Sequence, residues 1–125
     1  MLMMDAVTKK QITELVKLRY PDECMIVGDI IVNELIDDFG RGTKDAGEKY
    51  RDTDDGYNFS VYELAILIFT GIQAMAALAD TINRLIEKHK RQKDEQELLR
   101  EAIINALLDA GMSRQDAESY CQEHL

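Results

Sequence analysis

The stretch FSVYELAILIFTGIQAMAALA, Phe59 to Ala79, decides the fold. Phe59, Ser60, Glu63 and Leu64 form a capping box with a hydrophobic staple. In such a box the Ser60 hydroxyl would accept from the amide at Glu63, Glu63 would reach back, and Phe59 would pack on Leu64. A helix is therefore expected from Val61 onward. Downstream, Val61, Ile68, Met75 and Ile82 recur every seven residues, as do Ala65, Ile72, Ala79 and Ile86, and Leu64, Gly71, Leu78 and Leu85. Three adjacent rows are wider than the two-row seam of a coiled coil and suit a helix packed between neighbours. Ile66, Leu67 and Phe69 carry the apolar surface around the first half, while Gly71, Ala74, Ala76 and Ala77 leave room for close approach. Leu64 to Ala79 is uncharged, but it falls short of the ~20 residues of a membrane crossing and contains Gln73, so a buried core helix is expected.

Upstream, Ile12, Leu15, Val16 and Arg19 share one side of an amphipathic helix, with Lys9, Lys10, Glu14 and Lys17 on the others. Pro21 ends it and opens a second, whose first turn carries Asp22 and Glu23 where the helix dipole favours acids. The second helix is expected to run to Phe39 and to be largely buried through Cys24, Val27, Ile31 and Leu35, with Ile26, Ile30 and Phe39 on an adjoining stripe and Gly40 as its stop. Residues 40–58 hold four of the seven glycines and a run of aspartates, which reads as a long acidic loop with room for a short helix around Ala46 to Arg51.

Downstream of the central helix, Asp94 and Glu97 form a second cap-like pair ahead of Leu99, Ile103, Ala106 and Leu107. Gly111 stops that helix, and Ser113 with Asp116 starts a last one bearing Ala117, Tyr120 and Cys121. The expected helices are thus 5–20, 22–39, 61–90, 95–109 and 114–124. The fold class is all-α: one domain spanning residues 1–125, a compact bundle of about five helices around a long central apolar helix, with a C-terminal helix-turn-helix hairpin. The 46% hydrophobic content, 31% charge, single proline and few aromatics agree with a helical chain.

The net charge of -9 repels phosphate backbones and argues against nucleic acid, while favouring a partner with a basic surface. Charge is uneven: residues 29–63 and 94–125 each sum to -6, and residues 64–93 sum to +3. The basic side chains crowd between Arg84 and Lys93, near the end of the long helix, where the dipole favours cations. Convergence of Arg84, Lys88, Lys90, Arg91 and Lys93 would instead make a docking patch for an acidic partner or a phosphate group. Cys24 and Cys121 have no second cysteine or histidine at metal-ligand spacing and are expected as reduced, buried thiols. No secretory leader is legible at the N-terminus, so a cytoplasmic location is expected.

Two segments resemble parts of known families. Asp52 to Glu63 resembles the calcium loop of the EF-hand family, with carboxylates at its first and third places and glutamate at its twelfth. The resemblance implies Asp52, Asp54 and Glu63 as metal ligands. It departs from the family in placing Tyr57 at the sixth place, with Gly56 one residue early. Because the capping box already accounts for Ser60 and Glu63, a solvated acidic loop and no bound metal are expected. Leu108 to Ala117 resembles the first loop of a ubiquitin-associated domain and equally the helix-turn-helix of DNA-binding repressors. The first likeness implies a ubiquitin-like or other small-domain partner at Met112 and Arg114. The second implies DNA, against which stand Asp116, Glu118 and Glu123 on the last helix. A glycine stop followed by a serine cap produces the same letters in any tight helical turn.

His89 and His124 have no nucleophile or carboxylate partner in local spacing and are expected at the surface; phosphate-loop, metalloprotease and hydrolase motifs are absent from the sequence. The sequence therefore leads to a small acidic protein-interaction module: an adaptor, an inhibitor or immunity-type protein, or an effector-associated regulatory domain. It is expected to be neither an enzyme nor a membrane protein, and to need no cofactor. Self-association as a homo-oligomer, a dimer, is expected from the heptad regularity, with Val61, Ile68, Ile72, Met75, Ile82 and Ile86 as its seam or as core. The alternatives are an oligomeric small-ligand or nucleotide-binding protein using residues 84–93, and a helix-turn-helix transcriptional regulator.

Overall fold

The computed structural model describes residues 5–43, 46–50, 61–89 and 95–125. The protein is all-α. Among the described residues it has α1 (Ala6–Arg19), α2 (Pro21–Val27), α3 (Asp29–Gly40), α4 (Val61–His89), α5 (Gln96–Asp109) and α6 (Arg114–His124), with one 3-10 turn at Glu48–Tyr50. Packing divides the chain into two units, Met1–Met75 and Ala76–Leu125, and the boundary falls inside the continuous helix α4.

In the first unit, α1 is capped by Asp5, whose carboxylate accepts from the Thr8 amide at 2.7 Å. It buries Ile12, Leu15 and Val16, the stripe expected of it. Two ion pairs, Lys9 to Asp37 at 2.8 Å and Lys17 to Asp29 at 3.2 Å, run α1 antiparallel to α3. The Tyr20 ring lies on Gly71 of α4, the close approach its missing side chain permits, and carries the Arg19 guanidinium on a face at 4.9 Å. Phe39 and Phe69 meet edge to face with ring centroids 6.4 Å apart, and Gly47, beside the 3-10 turn, sits against Ile66.

The single helix expected over 22–39 is two helices. Gly28 stands between them at φ 90 and ψ 158, a region open essentially to glycine alone. Its amide still reaches the Cys24 carbonyl at 2.9 Å and its carbonyl still accepts from Val32 at 3.2 Å, so both helix ends are satisfied across the bend. The stop also lies further on than expected. Gly40 remains helical, and the chain leaves α3 through Gly42 and Thr43, whose amides reach the Phe39 and Asp38 carbonyls at 3.0 and 2.9 Å. Arg41 ion-pairs with the buried Asp38 in the same turn.

In the second unit α5 buries Leu99, Ile103, Ile104 and Leu107. Its first turn follows Glu95 rather than Asp94, which lies outside the described residues. The expected α5–α6 turn is present. Gly111 adopts φ 98, the Gly111 and Met112 amides return to Leu108 and Leu107 at 3.0 and 3.1 Å, and the Ser113 hydroxyl accepts from Asp116 at 3.1 Å. Ala117, Tyr120 and Cys121 form the buried side of α6.

Among the described residues α4 alone has the length and apolar composition to cross a membrane. Ala65, Ile68, Ile72, Met75, Ala79 and Ile82 are each at most 2% exposed, so protein surrounds this side of it.

Candidate interaction surface

The bend at Gly28 decides what α2 and α3 show to solvent. In one unbroken helix, Cys24, Val27, Ile31 and Leu35 would form the inward stripe, with Ile26 and Ile30 beside it. The bend resets the phase of the second segment. The inward residues are Cys24 and Val27 on α2, then Val32, Leu35 and Ile36 on α3. Ile31 is left half-buried, and Met25, Ile26 and Ile30 point outward with exposures of 81%, 62% and 77%. The expectation that Ile26 and Ile30 belong to a buried stripe is corrected here. Three large apolar side chains lie open within six residues of sequence.

Their surroundings are acidic. Residues 21–40 contain Asp22, Glu23, Asp29, Glu34, Asp37 and Asp38 and no lysine, arginine or histidine. On α3 the acids are engaged: Asp29 by Lys17, Asp37 by Lys9, Asp38 by Arg41, and Glu34 by the donating Tyr50 hydroxyl. On α2, Asp22 is exposed and Glu23 half-buried, and neither has an ion pair among the described residues. Beneath them Cys24 is a free thiol, pushed up to about 11 by burial first and the Glu23 charge second.

No protein-family model, no curated protein and no solved structure matches this chain.

The residues singled out from the sequence fall elsewhere. Ile68, Ile72, Met75 and Ile82 are buried and Val61 and Ile86 half-buried, so this stripe is core within one chain. Arg84 is exposed and bound to Asp80 one turn earlier at 2.8 Å, and Lys88 is exposed. Lys90, Arg91 and Lys93 lie outside the described residues, as do Asp52, Asp54, Phe59 and Ser60. Glu63 is exposed in the first turn of α4. Met112 is 6% exposed inside the α5–α6 turn, and exposed Arg114 bonds Glu118 at 3.1 Å. Among the described residues no group of three histidine, cysteine or acidic side chains is arranged to hold a metal ion.

One polar pair had no signal at local spacing. His89 is not the open surface residue expected: its side chain is only 14% exposed, and its Nδ1 lies 2.5 Å from the Glu95 carboxylate across the α4–α5 connection. That contact orients the imidazole. His124 stacks on Tyr120 with centroids 4.3 Å apart. The signal that would have exposed the α2–α3 surface was Gly28 itself, a glycine in the interior of an otherwise periodic run.

Proposed function

We propose that this chain is a small acidic protein-interaction module of the cytoplasm, an adaptor or regulatory domain rather than an enzyme. The observation that carries the reading is that three large apolar side chains, Met25 and Ile26 on α2 and Ile30 on α3, are exposed within six residues of sequence. Single exposed apolar residues need no account, but a cluster rimmed by polar groups marks an interaction site. Burying each such side chain is worth roughly 1.5–3 kcal/mol, so the three supply several kcal/mol toward association. The net charge of -9 directs encounter toward basic surfaces. One chain covers most of the heptad rows on which a dimer is expected and leaves Ile66 and Leu67 of α4 38% and 44% exposed.

Selection of a displayed random-peptide library on the immobilised full chain tests the proposal. A binding module enriches a family of sequences combining apolar and basic residues, which then bind the purified chain as free peptides. Repeated selection that yields no chain-dependent sequence overturns it.

A further inference from the structure

We propose that the α2–α3 surface receives a cationic amphipathic helix from a partner protein, with the partner's apolar face on Met25, Ile26 and Ile30 and its lysines or arginines beside Asp22 and Glu23. This inference rests on the protein-interaction reading above and names the partner's chemistry.

Charge complementarity identifies the occupant. Residues 21–40 contain six acids and no base; Asp38 among them is buried, and the cations that α1 and the turn after α3 contribute pair with Asp29, Asp37 and Asp38. The charge left over sits at Asp22 and Glu23, one turn or less from Met25 and Ile26. A partner that is apolar only would leave these acids beside a newly dry contact, which is costly unless a cation meets them. A cationic helix satisfies both demands, because side chains spaced three and four apart present apolar anchors on one face and charges along its border.

The same charges disfavour the other occupants. An anionic lipid surface would be repelled. A second copy docking by a two-fold axis would bring this patch against itself and set Asp22 and Glu23 of one copy near those of the other. Strand addition needs a sheet edge, and the described residues contain no strand.

The experiment uses the full chain and two fluorescein-labelled synthetic helices of about five turns, one with leucine on one face and lysine on the other, the second with glutamate replacing lysine. Anisotropy titrations are run at about 50 and about 200 mM salt. The wild-type chain is expected to bind the leucine-lysine helix, more tightly at low salt, and not the leucine-glutamate helix. The variant combining Met25→Ser, Ile26→Ser and Ile30→Ser keeps its circular dichroism and melting transition, because these side chains are already in water, and loses roughly tenfold or more in affinity. The charge variant Asp22→Lys, Glu23→Lys weakens binding at low salt and flattens the salt dependence.

Equal binding of the leucine-lysine helix to wild type and to the triple serine variant overturns the proposal, as does no binding of that helix at all. A wild-type dimer by light scattering that the serine variant converts to monomer overturns it too, assigning the surface to a second copy. Failure here remains separate from failure of the wider reading. Library-selected peptides that bind wild type and serine variant alike keep the interaction module and remove this surface from it.

Discussion

The aromatic ring of Tyr20 occupies the space where a side chain on residue 71 would be: a Cβ built on Gly71 would lie 2.3 Å from one ring carbon and 2.8 Å from another. The first-unit stretch of α4 and the end of α1 can meet this closely only because the helix carries no methyl group there. In a solvated helix, glycine to alanine is stabilising by up to about 1 kcal/mol. At Gly71 the sign reverses. A rigid ring cannot yield as a flexible chain end can, so Gly71→Ala is expected to destabilise by about 1–3 kcal/mol. Urea unfolding of Gly71→Ala, Tyr20→Ala and the double variant checks it. Removing the ring should relieve the alanine, giving strong coupling, whereas additive effects would show that the ring is not what the methyl group strikes.

Gly28 gives a second test, of the opposite kind. A Cβ there meets nothing within 4 Å, so the cost of Gly28→Ala comes from the backbone alone. Holding alanine at φ 90 and ψ 158 should cost on the order of 1–3 kcal/mol. The chain can escape that cost by letting α2 and α3 fuse, which would turn Ile26 and Ile30 toward the interior. Thermal melts read the loss, and amide exchange at residues 27–30 distinguishes strain at a retained bend from a straightened helix.

Ser113 caps α6 by a hydrogen bond to the Asp116 amide at 3.1 Å. Ser113→Ala removes that acceptor and should cost about 1 kcal/mol, while Ser113→Asp should nearly preserve stability. Equal melting of the wild type and the alanine variant would show that the cap contributes nothing measurable to the fold.

The Cys24 thiol predicts a loss of stability in alkali. Burial raises it from an ordinary value of 9.0 to about 11, so over that window the unfolded chain has released a proton that the folded chain keeps. Below 9.0 both states hold the proton and the group adds no pH dependence; stability then falls as pH rises from 9.0 to about 11. A shift of this size corresponds to on the order of 3 kcal/mol at most. Unfolding midpoints of wild type and Cys24→Ala should converge over this interval, the alanine variant lacking the thiol's part of the slope. Burial likewise raises Cys121, and both thiols should react slowly with iodoacetamide until the chain unfolds.

Local chemistry carried much of the fold in the sequence. Pro21 opens α2, Gly111 and Ser113 build the last turn, and the three seven-residue rows mark the side of α4 that is buried. Each of these signals acts within one or two turns of helix, so the letters alone determine it. The interaction surface was not legible in this way. Ile26 and Ile30 fit a continuous buried stripe until Gly28 takes a backbone conformation that breaks the phase, and tertiary packing selects that conformation.

What the amino-acid order determined by itself was the helical class, the apolar rows and the acidic balance, because periodicity, capping and charge are properties of neighbouring residues. Tertiary structure alone decided that Tyr20 would fill the gap at Gly71, that His89 would find Glu95, and that Met25, Ile26 and Ile30 would be left in water. Those outcomes depend on which side of a helix is covered by another element, and a helical wheel gives the sides without saying which one a neighbour will take.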